Sequence, residues 1–260
     1  MSDRGADSPG AVGRRQARLK EGILVTWAVL LDGSKVLIHM SLGNRESYED
    51  WLEHLRDLVR RSFPTPLRVT TDGAPGLIKA ACAIWPEAER IPCWVHKMGN
   101  VLDKVPEEVQ PLLKPYLEAV RGAPDIETGR RLAEDVVARF GDAYPPAMCC
   151  FQEDLEASLA HLELPAVHRK HIRTTNLIKR SFEEERRRAK VIPRFRTEKE
   201  CLKLVFATLW QASERWRRIR FSDHERRQLQ CYRQARQPTS GRRSSGQALH
   251  RMSEPRAGRP

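Results

Sequence analysis

Apolar residues crowd the stretch ILVTWAVLLDGSKVLIHM, from Ile23 to Met40, in two β-rich runs split by Asp32-Gly33-Ser34. Asp-Gly between two such runs is a strong hairpin signal, because a tight turn there needs positive φ. The period then shifts to a helical one. In NRESYEDWLEHLRDLVRR, Trp51, Leu52, Leu55, Leu58 and Val59 recur at helical spacing, and Glu46 and Glu49 stand in the first turn, where the helix dipole favours carboxylates. Arg68-Val69-Thr70-Thr71 reads as a short strand ending at Asp72-Gly73. The helix GLIKAACAIW follows and stops at Pro86. ERIPCWVH reads as another short strand, leading into the helix KMGNVLDKV. This order of strands and helices predicts an α/β layer built on a mixed sheet.

From Pro106 to about Glu163 the pattern is helical throughout, in VQPLLKPYLEAVRG, DIETGRRLAEDVVARFGDAY and AMCCFQEDLEASLAHLEL. Another helix is expected to start near Thr174 or Thr175. EKECLKLVFATLWQASERWRRIR is amphipathic, with Leu202, Val205, Phe206, Leu209, Trp210 and Trp216 on one broad face. The two ends are polar and rich in Arg and Gly, which predicts disorder. The expected organisation is a disordered basic N-terminus (1–21), the first part of an α/β core (22–105), a helical insertion (106–165), C-terminal helices completing the core (166–222) and a disordered basic tail (223–260). There are no internal repeats.

Charge narrows the picture. The 260-residue chain carries a net charge of +12 and a pI near 9.8. A surplus of that size favours polyanionic partners, nucleic acid above all, although solvated basic helices would produce the same balance. No apolar run approaches the roughly 20 residues that span a bilayer, so no membrane association is expected. MSDRGADSPGAVGRRQARLK lacks the apolar core of a secretory signal, which places the expected location in the cytoplasm. The six cysteines show no paired zinc spacing and read as reduced thiols.

Three places could carry chemistry. Asp72 ends a strand directly before Gly73, and ligands gather at the carboxyl ends of strands in α/β sheets. A carboxylate there can hold a divalent metal, or it can simply cap the next helix. Cys93-x-x-His96 contains two zinc-binding residue types, but a structural zinc site needs four ligands. The alternative is Cys93 packed under the sheet and His96 near the strand end, free to hydrogen-bond a phosphate or position a water. The third place is Arg173-Thr174-Thr175-Asn176, running into SFEEERRR. It reads either as a helix start with dipole-matched charges, or as a carboxylate brought to the sheet edge with arginines tracking a phosphate backbone.

GNRESYEDWLEHLRDL, VTTDGAPGLIKAACAIWPEAERIPCWVHKMGNVLDKVP and RTTNLIKRSFEEERRR together resemble bacterial insertion-sequence transposases of the Mutator-like superfamily, over roughly residues 22 to 220. The order Asp72-Gly73, Cys93-x-x-His96, Thr174-Thr175-Asn176 is far more specific than any one part. The resemblance implies an RNase H-like (retroviral integrase-like) mixed sheet interrupted by an all-helical insertion. It also implies a DDE triad holding two divalent metals, Mg²⁺ or Mn²⁺. Such a pair, about 3.5–4 Å apart, clamps the attacking and leaving oxygens during strand nicking and strand transfer. Carboxylates suit Mg²⁺ because it is a hard ion.

Asp72 matches the second aspartate of that triad, and Cys93 and His96 match the family's Cys/His pair. The strand bearing the first aspartate is not found before Ile23, and the Arg-rich segment before Gly22 reads as unrelated. The third carboxylate belongs at Lys179, three residues after Asn176. A protonated ammonium has no lone pair to offer Mg²⁺. Glu183, one helical turn on, is offset by about 6 Å along the axis. The expectation is therefore a truncated, degenerate DNA transposase with impaired catalysis and doubtful metal binding. The alternative is a non-catalytic remnant that binds DNA or intact transposase copies. Phosphate contacts are expected from Arg173, Arg186, Arg187, Arg188, Lys190 and Arg194, in a nucleoid-associated protein.

Overall fold

The computed structural model describes residues 21–44, 47–189 and 197–236. Strands β1 (Glu21–Val29) and β2 (Lys35–Asn44) form the expected antiparallel hairpin, with Gly22 opposite Gly43, Val29 opposite Lys35 and an irregularity between Thr26 and Trp27. The connection is longer than a two-residue turn: Leu30 N–H donates to Ser34 O and Gly33 N–H to Leu30 O, both at 2.9 Å. Gly33 has φ +84°, and a Cβ there would stand 2.1 Å from the carbonyl oxygen of Ile219. Only glycine fits, for both backbone and steric reasons.

Helix α1 (Tyr48–Arg60) begins at Ser47, whose hydroxyl accepts from Asp50 N–H. It buries Trp51, His54, Leu55 and Leu58, but leaves Val59, expected on the apolar face, 47% exposed. Strand β3 (Arg68–Thr71), helix α2 (Pro75–Ile84) and strand β4 (Glu89–Pro92) form a parallel β-α-β unit. Among the described residues the strands make two separate two-stranded sheets, not the single mixed sheet that the strand order predicts. Both sheets lean on the same helices: Leu24, Trp51, Leu55, Leu58, Ala80 and Trp85 form one cluster, to which Ile38 and Val69 are packed.

Helix α3 (Trp94–Leu102) starts earlier than expected. The predicted strand ERIPCWVH ends at Pro92, Cys93 is the N-cap, and His96 lies in the first helical turn. The reason is burial: Trp94, Met98 and Val101 recur at helical spacing and pack into the helical region that follows. That region consists of α4 (Gln110–Arg121), α5 (Ile126–Phe140), α6 (Pro145–Gln152), α7 (Leu155–Leu159) and a 3-10 turn at Ala160–Glu163. Leu113, Leu117, Val120, Val136 and Phe151 fill its core.

The chain returns through α8 (Ala166–Ile172), α9 (Asn176–Ala189) and α10 (Glu198–Glu214). Val205 and Leu209 of α10 cover the hairpin at Val25 and Leu37. Phe206 and Trp210, assigned to the same face by spacing, are 47% and 42% exposed instead, and stack on each other with ring centroids 5.9 Å apart. Trp216 lies past the end of α10 and packs on Trp27, with ring centroids 4.4 Å apart.

Residues 223–236, expected to be the start of a disordered tail, form helix α11 (Asp223–Arg236). Polar composition hid its anchors. Leu229 is buried, Tyr232 donates to Glu89 Oε2 at 3.0 Å, and Arg236 pairs with Glu89 and Glu163 at 2.9 Å each. The remainder of the expected tail and the N-terminal segment 1–20 lie outside the described residues.

Candidate functional site

The three sequence motifs meet at the carboxyl ends of β3 and β4. Thr71, the last residue of β3, accepts from Cys93 N–H at 2.8 Å, which sets Asp72 beside Cys93 at adjacent strand ends. Asp72 is exposed, and its Oδ1 accepts from Ala74 N–H at 3.2 Å. Ala74 is the N-cap of α2 and has no side-chain cap of its own, so Asp72 folds the turn before the helix rather than capping it. Gly73 has φ +100° with open space around the missing Cβ, so backbone conformation alone calls for glycine there.

Cys93 is 2% exposed, and its Sγ accepts from Thr175 N–H at 3.3 Å and from Thr175 Oγ1 at 3.5 Å. Trp94 N–H donates to Arg173 O at 2.9 Å, and Thr70 Oγ1 donates to Ile172 O. Residues 172–175 are thereby tied across both strand ends. Helix α9 starts immediately afterwards, with Lys179 N–H donating to Thr175 O at 3.1 Å. The Lys179, Glu183 and Asn176 side chains are exposed, as is His96 on the first turn of α3.

The arginines separate into two groups. Arg173 is half-buried and donates from Nη1 to Arg121 O at 3.2 Å, which joins the strand-end motif to the helical region. Burial and the Arg121 and Arg169 cations beside it lower its pKa. Arg186 and Arg187 are exposed on α9, and Arg187 pairs with Glu184 at 2.9 Å. Arg188 belongs to the same helix, whereas Lys190 and Arg194 lie outside the described residues.

Spacing alone did not single out Trp94. Its indole is fully buried, donates to Ser158 O at 2.7 Å and lies 3.3 Å from His161 Nδ1. His161 Nε2 sits 3.0 Å from Arg121 O. Its Nδ1 also lies 2.7 Å from Ser158 O, so a neutral ring donates to one of these two carbonyls and a protonated ring to both. Burial, opposed by the backbone hydrogen bonds, pushes the His161 pKa down to about 4. The sequence signal for this joint was the tryptophan inside Cys93-x-x-His96, one residue past the cysteine.

Among the described residues no group of three or more His, Cys, Asp or Glu stands where it could hold a metal ion. Lys179 occupies the helix position at which the resemblance places a glutamate, and while protonated it offers three donors and no lone pair.

A family model described as Transposase, Mutator family matches residues 11–219. The chain belongs to that family. The Mutator-family match begins at residue 11, well before Gly22, so the Arg-rich segment expected to be unrelated is part of the matched region from there onward. The chain is 34% identical over 197 residues to the transposase for insertion sequence element IS6120 of Mycolicibacterium smegmatis, covering 76% of this chain and 61% of that protein. It is 35% identical over 195 residues to the transposase for insertion sequence element IST2 of Acidithiobacillus ferrooxidans, covering 75% and 66%. A transposase for ISRM5 of Rhizobium meliloti is 28% identical over 209 residues. The Mutator-family chain thus spans less than two thirds of the length of these first relatives. Among its described residues no helix is long and apolar enough to cross a membrane.

Proposed function

We propose that this chain is a DNA transposase of an insertion sequence by descent, with an RNase H-like layout and a strand-end site that no longer supports metal-dependent nicking and strand transfer. The observation that carries this reading is the convergence of Asp72, Cys93 and Thr175 at the ends of β3 and β4, with Lys179 one turn along α9. A lysine beside a site meant for Mg²⁺ or Mn²⁺ offers no ligand and adds a competing positive charge. The chain works on DNA in the cytoplasm, at the nucleoid, alone or in multimers with intact transposase copies.

Calorimetric titration of Mg²⁺ and Mn²⁺ into the unmodified chain and a Lys179→Glu variant tests this. The unmodified chain is expected to show no tight binding, with measurable binding returning in the variant. Tight binding or metal-dependent nicking by the unmodified chain would sink the impaired reading. The net charge of +12 favours a second reading, a non-catalytic protein that binds DNA or transposase. If Lys179→Glu restores neither metal binding nor nicking while DNA affinity stays intact, that second reading stands instead.

A further inference from the structure

A cleft of about 310 Å³ opens where the hairpin turn, α8 and the segment after α10 converge. Six basic residues line it: Lys35 at the start of β2, Lys170 and His171 on α8, and Arg217, Arg218 and Arg220 on the returning segment. Among the described residues no carboxylate lines it. The nearby Asp32 is already engaged, accepting from Ser34 N–H at 2.8 Å and standing 3.8 Å from Arg218.

This crowding of cations is imposed by the fold. Ile219 N–H donates to Gly33 O at 2.8 Å, and Lys35 Nζ donates to Arg217 O at 3.1 Å, so the returning segment is pinned against the turn. Val167 and Ile172 of α8 pack with Ile219 and Phe221 beneath. Apolar packing and backbone hydrogen bonds therefore hold like charges together in a recess. Their mutual repulsion is legible in the side chains. Burial lowers the Lys35 pKa, and the cations of Lys170 and Arg180 lower it further. Burial, then Lys35 and Lys170, push His171 down to about 4. An anion in the cleft relieves that repulsion.

We propose that this cleft is a phosphate-binding site that grips the DNA backbone, with neither the strand-end residues Asp72, Cys93 and Thr175 nor Arg186 and Arg187 of α9 in its lining. The proposal rests on the reading of the chain as a DNA-binding protein. Arginine forks donate to phosphate oxygens in bidentate fashion, and lysines add point charge. The apolar side chains here are turned into the core, with Ile219 only 6% exposed, so they offer little to the side chains of an acidic peptide. Contacts of this kind set register on DNA without reading its sequence.

The test compares the whole chain with a Lys170→Gln/Arg220→Gln variant, using a labelled random-sequence duplex and a circular dichroism melt to confirm folding. Losing two cations is expected to make the dependence of log affinity on log salt shallower by about 1 to 2 between about 50 and 200 mM salt. In the unmodified chain, DNA is expected to protect Lys35 and Lys170 from acetylation. An unchanged salt slope in the folded variant, with both lysines still acetylated in the presence of DNA, overturns the cleft proposal while leaving DNA binding intact. A chain that binds no duplex, yet whose Lys35 and Lys170 are protected by pyrophosphate, keeps the phosphate site and overturns the DNA reading. Protection by an acidic peptide and not by pyrophosphate overturns the choice of phosphate.

Discussion

The helical region from α4 to the 3-10 turn and the strand-bearing remainder of the molecule solve the same problem differently. Among the described residues sixteen buried side chains join in one cluster, twelve from Leu113 to Leu162 on the helical side and Trp94, Met98, Val101 and Val105 reaching in from α3 and just beyond it. The strand side divides its interior into three clusters of seven, four and four buried residues. A helix satisfies its own backbone, so helices can gather around one core wherever apolar stripes meet. A two-stranded sheet leaves an unpaired edge on each strand and needs a covering element on each face. The difference suggests that the helical side is the rigid body and the strand side depends on what is brought to it.

The strongest way to break this comparison is truncation in each core. Phe151→Ala, at a fully buried position, should cost about 3–5 kcal/mol. Leu209→Ala, between α10 and the hairpin, should fall near the low end of about 2–5 kcal/mol because a small cluster collapses more easily. Urea unfolding measures both. Equal costs would mean that the two regions share one core in energetic terms. Native-state hydrogen exchange sharpens the point: amides of α4 and α5 should open only with global unfolding, and those of β1 and β2 by smaller events.

Acid should expose the same asymmetry with a somewhat smaller effect. Burial holds His54 at about 3 and both His161 and His168 at about 4. Unfolded imidazoles take up protons near 6.5. Stability from these neutral rings is therefore complete above about 6.5 and is lost as pH falls toward 4. Two of the three rings lie on the strand side, so its protection should decline first in a pH series of exchange measurements. Among the described residues neither ring nitrogen of His168 has a hydrogen-bond partner, so His168→Leu should remove part of that sensitivity at little cost at pH 7. Loss of protection in the helical side first would contradict the comparison.

The smallest contrast uses two glycines with positive φ. Gly73→Ala should cost about 1–3 kcal/mol of backbone strain, with nothing for the new methyl to strike. Gly33→Ala carries the same strain plus a collision with Ile219 O, and should cost more, as read by thermal unfolding.

The sequence made some of this plain and concealed the rest. β-rich apolar runs around Asp32-Gly33 located the hairpin, and helical patterning located the helices from Pro106 onward. The motifs Asp72-Gly73, Cys93-x-x-His96 and Thr174-Thr175-Asn176 gave the family and stand together in space. What the pattern could not give was pairing. The two small sheets, and the exposure of Phe206 and Trp210, depend on contacts between segments far apart in the chain. The basic cleft was hidden for the same reason. HRKHIR and RWRRIR stand far apart in the chain, and only the fold sets them facing Lys35. Helix α11 was missed because Tyr232 and Arg236 find their partners on β4 and the 3-10 turn.

The contact between Lys35 and Arg217 joins residues 182 positions apart. It has a consequence in time as well as in space. A chain emerging from the ribosome can close α4, α5 and their neighbours while most of its C-terminal third is still unmade, because those contacts are local. The hairpin, made before that region, must wait for α10 and the segment at Ile219 before its face at Val25 and Leu37 is covered. The hairpin is then native only after the helical region that follows it in the chain, and it stays open to other partners for the interval between.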